Sequence, residues 1–226
     1  MNKTNTENRY VQILSTGVRL EGIVSIPDDA RGFVVFVHGS GSSRHSPRNQ
    51  YVAQTLQEGG LATLLFDLLT AYEEESDLQT RHLRFDINLL ARRTAGVLEW
   101  LDLQPYTYGL KIGLFGSSTG AAAALMAAAE LPEKVDAVVS RGGRPDLAGA
   151  ALPEVEAPTL LIVGGNDDVV IDLNKQALAR MSPGAEKKLV VVPGASHLFE
   201  ESGALEHAAR FARDWFQAHL DKVSVR

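Results

Sequence analysis

The sequence predicts an α/β protein built on one mostly parallel, eight-stranded sheet that is covered by helices on both faces. Short runs of branched apolar residues alternate with helical segments along the chain, as they do where helices link parallel strands. Most of these runs are apolar throughout, which is typical of strands buried on both sides. Because the 226 residues include no linker-like stretch, we expect a single domain over residues 1–226.

The predicted elements follow one another in regular order. The segments 11–14 and 20–26 flank Thr16-Gly17 and predict an antiparallel pair of strands. Six further strands are predicted at 33–37, 61–66, 110–115, 135–140, 158–163 and 188–192, and helices at 51–58, 85–101, 121–130, 172–181 and 203–220. The acidic stretch 73–77 is interpreted as a surface loop. The segment 141–157 is too short for a large cap domain, so we expect an open site.

Composition excludes several classes of function. A formal net charge of −6 gives no basic face, so we expect a small-molecule substrate and no nucleic-acid or membrane partner. The absence of cysteine excludes disulfides, cysteine metal ligands and a cysteine nucleophile. The polar segment Met1–Arg9 lacks the apolar core of a signal peptide, which favours a cytoplasmic location. The oligomeric state stays open.

The segment Gly116-Ser117-Ser118-Thr119-Gly120 joins a predicted strand to an alanine-rich helix. It matches the G-x-S-x-G pattern, in which the central serine occupies a strained strand-to-helix turn and exposes its hydroxyl. Glycines suit this turn because they leave room for close backbone approach. Ser118 is therefore the candidate nucleophile, and a glycine- and serine-rich turn without chemistry is the alternative.

A serine nucleophile needs a base, and the base needs an acid that orients it. Asp167 and Asp168 follow one predicted strand, and His197 follows the last one. The carboxyl ends of parallel strands share one edge of a sheet, so these side chains are expected near Ser118. The order Ser, Asp, His along the chain is that of α/β-hydrolases.

Three motifs together resemble the α/β-hydrolases of the dienelactone hydrolase-like group. They are the Ser118 turn, Gly164-Gly165-Asn166-Asp167 followed by Val170, and Gly194-Ala195-Ser196-His197. The resemblance extends from His38-Gly39 to the histidine loop and implies a Ser118–His197–Asp167 triad, with Asp167 preferred over Asp168. It requires no metal or organic cofactor.

The resemblance also implies an oxyanion hole formed by the backbone amides of Ser40 and Thr119. Thr119 is expected to contribute its amide rather than its hydroxyl, and Gly41 is expected to allow close backbone approach to the substrate. Dienelactone hydrolases use a cysteine nucleophile, whereas this chain carries Ser118 and has no cysteine. We therefore expect a serine esterase that cleaves small carboxylic esters through an acyl-enzyme.

Several loop residues are weaker candidates for substrate binding. Charge-assisted hydrogen bonds to a substrate carboxylate are one interpretation of the loop arginines, and pairing with nearby carboxylates is the other. The candidates are Arg44, His45, Arg141, Arg144 and the apolar Leu198, which is either a pocket wall or core. His38 is expected to brace its own loop. Hydrolysis of a dienelactone, lactone, thioester or amide, and a catalytically weak ligand-binding protein, are the alternative functions.

Overall fold

The computed structural model describes residues 6–221, so the outermost residues of the predicted 1–226 domain and of Met1–Arg9 lie outside it. The strands are β1 (Thr6–Ser15), β2 (Val18–Pro27), β3 (Gly32–Val37), β4 (Leu61–Phe66), β5 (Ile112–Ser117), β6 (Ala137–Arg141), β7 (Thr159–Gly164) and β8 (Lys187–Val192). The helices are α1 (Pro47–Glu58), α2 (Ala71–Thr80), α3 (Ile87–Leu101), α4 (Thr119–Glu130), α5 (Asp168–Arg180) and α6 (Ala204–Leu220).

All eight strands form one sheet in the order β1-β2-β4-β3-β5-β6-β7-β8. The six strands from β3 to β8 are parallel to one another, whereas β1 and β2 form an antiparallel hairpin and β2 pairs antiparallel with β4. The hairpin reverses at Thr16 and Gly17, both of which have positive φ. The predicted mostly parallel sheet is confirmed, and the hairpin makes it mixed.

Helices cover both faces of this sheet, as predicted. One core lies beneath α1 and α6, where Val52, Leu56 and Phe216 are buried against β3 and β5. The other lies beneath α3, α4 and α5, where the small side chains of α4 allow the helix to approach the sheet closely. The strands β3 to β7 are buried along their whole length, which explains their unbroken apolar sequences.

Two predictions about local structure were wrong. The acidic stretch 73–77 lies in helix α2, which begins with a capping box between Thr70 and Glu73 and buries Asp77 completely. Helix α5 begins at Asp168, before the predicted start at residue 172. In both cases acidic residues interrupt the apolar pattern from which the boundaries were predicted. The sequence feature that could have predicted α2 is the capping box formed by Thr70 and Glu73.

No helix within the described part of the chain is long and apolar enough to cross a membrane.

Candidate active site

Ser118 occupies a strained turn between β5 and α4. Its backbone has φ 50° and ψ −124°, a combination that side-chain-bearing residues rarely adopt. Its N–H donates to Arg141 O at 3.3 Å, and its carbonyl accepts from Arg144 N at 3.0 Å and Ala121 N at 3.2 Å. These bonds tie the Ser118 backbone to the end of β6, to the loop after β6 and to the first turn of α4, and so hold it in its strained conformation.

Close contacts between backbones leave no room for side chains around this turn. A Cβ on Gly116 would lie 2.4 Å from Ala121 Cα, and one on Gly120 would lie 2.2 Å from Val37 O. A Cβ on Gly39, in the loop after β3, would lie 2.9 Å from Ser118 Cβ. Glycine is therefore required at these positions by packing, and the loop after β3 is pressed against Ser118.

His197 and Asp167 form a hydrogen-bonded pair beside the turn. The distance between His197 Nδ1 and Asp167 Oδ2 is 2.6 Å, and the side chains are 37% and 16% exposed. The neighbouring Asp168 is instead the first residue of α5. The loop after β7 is joined to the loop after β8 by hydrogen bonds from Asn166 N and Nδ2 to the carbonyls of Ala195 and Gly194.

Ser118 and His197 line one open cavity at the carboxyl edge of the sheet. The cavity holds about 480 Å³, including part of its open mouth. Its other lining residues are Gly39, Ser40, Ser42, Ser46, Arg48, Ser117, Arg141, Gly142 and Leu198. Among residues 6–221, the ring of His197 makes its hydrogen bond to Asp167 and none to the Ser118 hydroxyl. Such a bond commonly tightens only when substrate is bound.

The amide of Ser40 points at the start of α4. Ser40 N–H donates to Thr119 Oγ1 at 2.9 Å, so the amide predicted to face the oxyanion already has an acceptor. Sequence reasoning missed this contact because it joins two residues 79 positions apart.

His38 braces the same loop, as predicted. Its Nδ1 lies 2.9 Å from Gly39 O, and its Nε2 accepts from Leu68 N at 3.0 Å. Both ring nitrogens are engaged in the buried interior. Burial lowers the pKa of His38, which favours the neutral ring that this pair of bonds requires.

Arg141, the last residue of β6, is the one of the three candidate arginines that lines the cavity. It is 8% exposed, and burial lowers its pKa to about 10. Its Nη2 donates to Asn49 Oδ1 at 3.3 Å, whereas its Nη1 is buried without a hydrogen-bond partner among the described residues. The rings of Phe115 and Phe199 lie 5.9 and 6.0 Å from its guanidinium carbon.

The other candidates for substrate binding have different surroundings. The Arg44 side chain pairs with Asp67 and Glu21, and Arg144 forms two hydrogen bonds with Asp146 at 2.9 and 2.8 Å. His45 is exposed and does not line the cavity. Leu198 lies at the cavity rim and is 42% exposed.

A second cavity borders the same loop after β3. It shares Gly39, Ser40 and Ser42 with the first cavity and also contains Gly41. Its remaining walls are Leu68, Leu69, Leu90, His38, Glu74, Asp77 and Arg84. The sequence analysis did not place Asp77 or Arg84 beside a cavity. Asp77 was assigned to a surface loop, whereas it lies in α2 and pairs with Arg84.

Comparison with known proteins assigns the family. The model of the Dienelactone hydrolase family matches residues 20–221. The chain belongs to this family. A crystal structure of dienelactone hydrolase from Anabaena variabilis has 59% sequence identity and a TM-score of 0.93, over 95% of this chain and 99% of the other. These matches support a hydrolase with the predicted α/β-hydrolase fold.

Other relatives carry different names. A putative phosphoribosyl transferase from Mycobacterium tuberculosis is 57% identical over 93% of this chain, which spans only 46% of the mycobacterial protein. The esterase Est1E from Butyrivibrio proteoclasticus has a TM-score of 0.76, over 92% of this chain and 98% of that one. Because its sequence identity is 16%, this likeness shows the fold alone.

Proposed function

We propose that this chain is a serine hydrolase that cleaves small carboxylic esters through an acyl-enzyme on Ser118. The observation that carries the proposal is the hydrogen-bonded His197–Asp167 pair in the cavity that also contains the strained Ser118 turn. A nucleophile, a base and an acid that orients the base thus meet at one site. Membership of the Dienelactone hydrolase family supports the hydrolase class.

In the proposed mechanism, the Ser118 hydroxyl attacks the ester carbonyl and passes its proton to His197 Nε2. Asp167 holds His197 through Nδ1 and stabilises the imidazolium that forms. The tetrahedral intermediate then expels the alcohol, which takes the proton from His197 and leaves an acyl group on Ser118 Oγ. Water deprotonated by His197 attacks the acyl group, releases the carboxylic acid and restores the serine.

The oxyanion of both intermediates lies, in this proposal, beside the amides of Thr119 and Ser40. The Thr119 amide is at the first turn of α4, where backbone N–H groups lack partners within the helix. The close contact between Gly39 and Ser118 brings the Ser40 amide to the same place. The Thr119 amide, fixed in this way, stabilises developing negative charge without reorganisation. The Ser40 amide would exchange its bond to Thr119 Oγ1 for one to the oxyanion.

Burst kinetics with p-nitrophenyl acetate test this function. We expect a burst of nitrophenol equal to the enzyme concentration followed by slower turnover, and no burst in Ser118→Ala. A lactone or thioester substrate turned over faster than any ester, with the burst retained, would instead favour the alternative acyl groups. A protein that binds the ester and shows neither a burst nor turnover would support the ligand-binding alternative.

Arg141 supports a preference for substrates with a carboxylate in the acyl part. Arg141 is the buried cation among the residues that line the cavity, and its Nη1 has no hydrogen-bond partner among the described residues, so an anionic ligand that reached it would supply the missing acceptor. Arg44 and Arg144 already have carboxylate partners, so we propose no substrate contact for their side chains. Leu198, at the rim of the cavity, is proposed to contact the substrate. We propose no such contact for His45, which lies outside the cavity, or for Gly41, which lines the second cavity.

The matching experiment compares p-nitrophenyl hemisuccinate with p-nitrophenyl butyrate. In Arg141→Met, we expect kcat/KM to fall about 10- to 100-fold for the anionic ester, the effect of one charge-assisted hydrogen bond, and to change little for the neutral one. Arg144→Met is the matched control. An equal loss for both esters would show that Arg141 only supports the fold.

The remaining proposals concern the protein as a whole. We propose that the described residues act as one domain, because all eight strands share a single sheet. The expectations of a cytoplasmic location, no cofactor and no nucleic-acid partner stand as predictions from the sequence. We do not extend the transferase name to this chain, since more than half of the mycobacterial protein lies outside the match.

A further inference from the structure

The hydroxyl of Thr119 lies where a substrate oxyanion would meet the Ser40 amide. Thr119 directly follows the nucleophile and is 5% exposed. Its Oγ1 accepts the Ser40 N–H at 2.9 Å. The proposed oxyanion hole therefore contains three polar hydrogens in close proximity: the two amide hydrogens and the hydroxyl hydrogen.

The surrounding backbone is too tightly packed for the Ser40 amide to turn away. Gly39 is in contact with Ser118, and Gly120 is in contact with the carbonyls of Val37 and His38. His38 fixes the loop further through its two hydrogen bonds to backbone groups. The contact between Ser40 and Thr119 is consequently a built feature of the site.

This contact also limits the direction of the hydroxyl proton. A threonine hydroxyl has one hydrogen to donate and two lone pairs that accept. Because one lone pair faces Ser40 N–H, the hydrogen points away from the Ser40 nitrogen. In residues 6–221, no acceptor is hydrogen-bonded to this hydroxyl, so its hydrogen is available to an incoming oxygen.

We propose that the Thr119 hydroxyl donates a hydrogen bond to the oxyanion, together with the Thr119 amide, while the Ser40 amide holds the hydroxyl in orientation. No bond to the hydroxyl forms or breaks in this role. Thr119 thereby becomes a catalytic residue through its side chain as well as its backbone. This revises two expectations: that only the Thr119 amide contributes, and that the Ser40 amide contacts the oxyanion directly. The inference rests on the proposed esterase function.

Thr119→Val tests the role because valine has nearly the same shape without the hydroxyl. We expect kcat for p-nitrophenyl acetate to fall about 100-fold, within the range for loss of one oxyanion donor, with little change in KM. Thr119→Ser should keep most of the activity. Thr94→Val is the matched control, since Thr94 is fully buried in α3 and donates its hydroxyl to Leu90 O away from the site.

A substrate with a weaker acceptor separates catalysis from structural support. In p-nitrophenyl thionoacetate the carbonyl oxygen is replaced by sulfur, which accepts hydrogen bonds poorly. The ratio of wild-type kcat to Thr119→Val kcat should therefore be smaller with this substrate than with p-nitrophenyl acetate. A structural role would reduce activity equally on both substrates. If Thr119→Val fails to fold, Thr119→Ala serves for the same comparison.

Wild-type kcat in a folded Thr119→Val protein would overturn the inference. A kcat above wild type would overturn it as well, because the hydroxyl would then be blocking the Ser40 amide. Both results leave the proposed function intact, provided that the wild type shows its burst. Absence of both a burst and Ser118-dependent turnover in the wild type would contradict the proposed function itself.

Discussion

Ser118 and His197, the proposed nucleophile and base, line the same cavity from two segments that are built differently. Ser118 lies between the fully buried strand β5 and the buried start of α4, and a Cβ added to Gly39, Gly116 or Gly120 would lie less than 3 Å from a neighbouring atom. His197 lies in a loop at the sheet edge, is 37% exposed and follows Gly194, beside which a Cβ would meet nothing within 4 Å.

This difference separates two ways of positioning a side chain. Backbone packing fixes the serine, so steric changes should disturb it most. A hydrogen bond to Asp167 orients the histidine, so the chemistry of that carboxylate should matter most. A change to the Asp167 carboxylate and a change to backbone packing should therefore have separate effects.

The largest effect is expected at the acid. Asp167→Asn keeps the shape of the side chain but favours the wrong tautomer of His197, so kcat should fall by about 10⁴. Asp168→Asn is the matched control, because Asp168 is an exposed first residue of α5 and should keep most of the wild-type kcat. Steady-state hydrolysis of p-nitrophenyl acetate measures both. A larger loss in Asp168→Asn would reverse the assignment of the acid.

A smaller effect is expected from added methyl groups. Gly116→Ala forces a Cβ to 2.4 Å from Ala121 Cα, so it should cost about 3 kcal/mol of stability and lower kcat by moving Ser118. Gly194→Ala should cost only about 1 kcal/mol, because it meets no neighbour but keeps φ at +74°. Urea unfolding and kcat are the measurements. Equal losses of stability and of kcat in the two variants would refute the proposed difference between the two segments.

The sequence was sufficient to predict most of the fold because its strongest signals are local. Buried strands and the glycines of the Ser118 turn are visible as apolar runs and as a short motif. Helix α2 was missed because four of its ten residues are acidic, and their partners Arg84 and Arg93 lie beyond the helix in sequence.

The candidate site was predictable to the extent that it consists of motifs. The positions of Ser118, Asp167 and His197 beside one another follow from parallel strands that end at one edge. The surroundings of Arg141 and Thr119 do not, because they depend on which distant side chains fill the space next to them. Arg141 and Arg44 were both predicted to lie in loops near the site. Arg44 pairs with two carboxylates, whereas Arg141 donates to the amide oxygen of Asn49.

Peptide mapping after treatment with a fluorophosphonate tests the central claim most directly. The reagent forms a covalent bond with an activated serine hydroxyl, so we expect one adduct per chain on Ser118 and loss of esterase activity in proportion to labelling. Asp167→Asn should label much more slowly, and Ser118→Ala should not label. An adduct on another serine, or full activity in Ser118→Ala, would contradict the account.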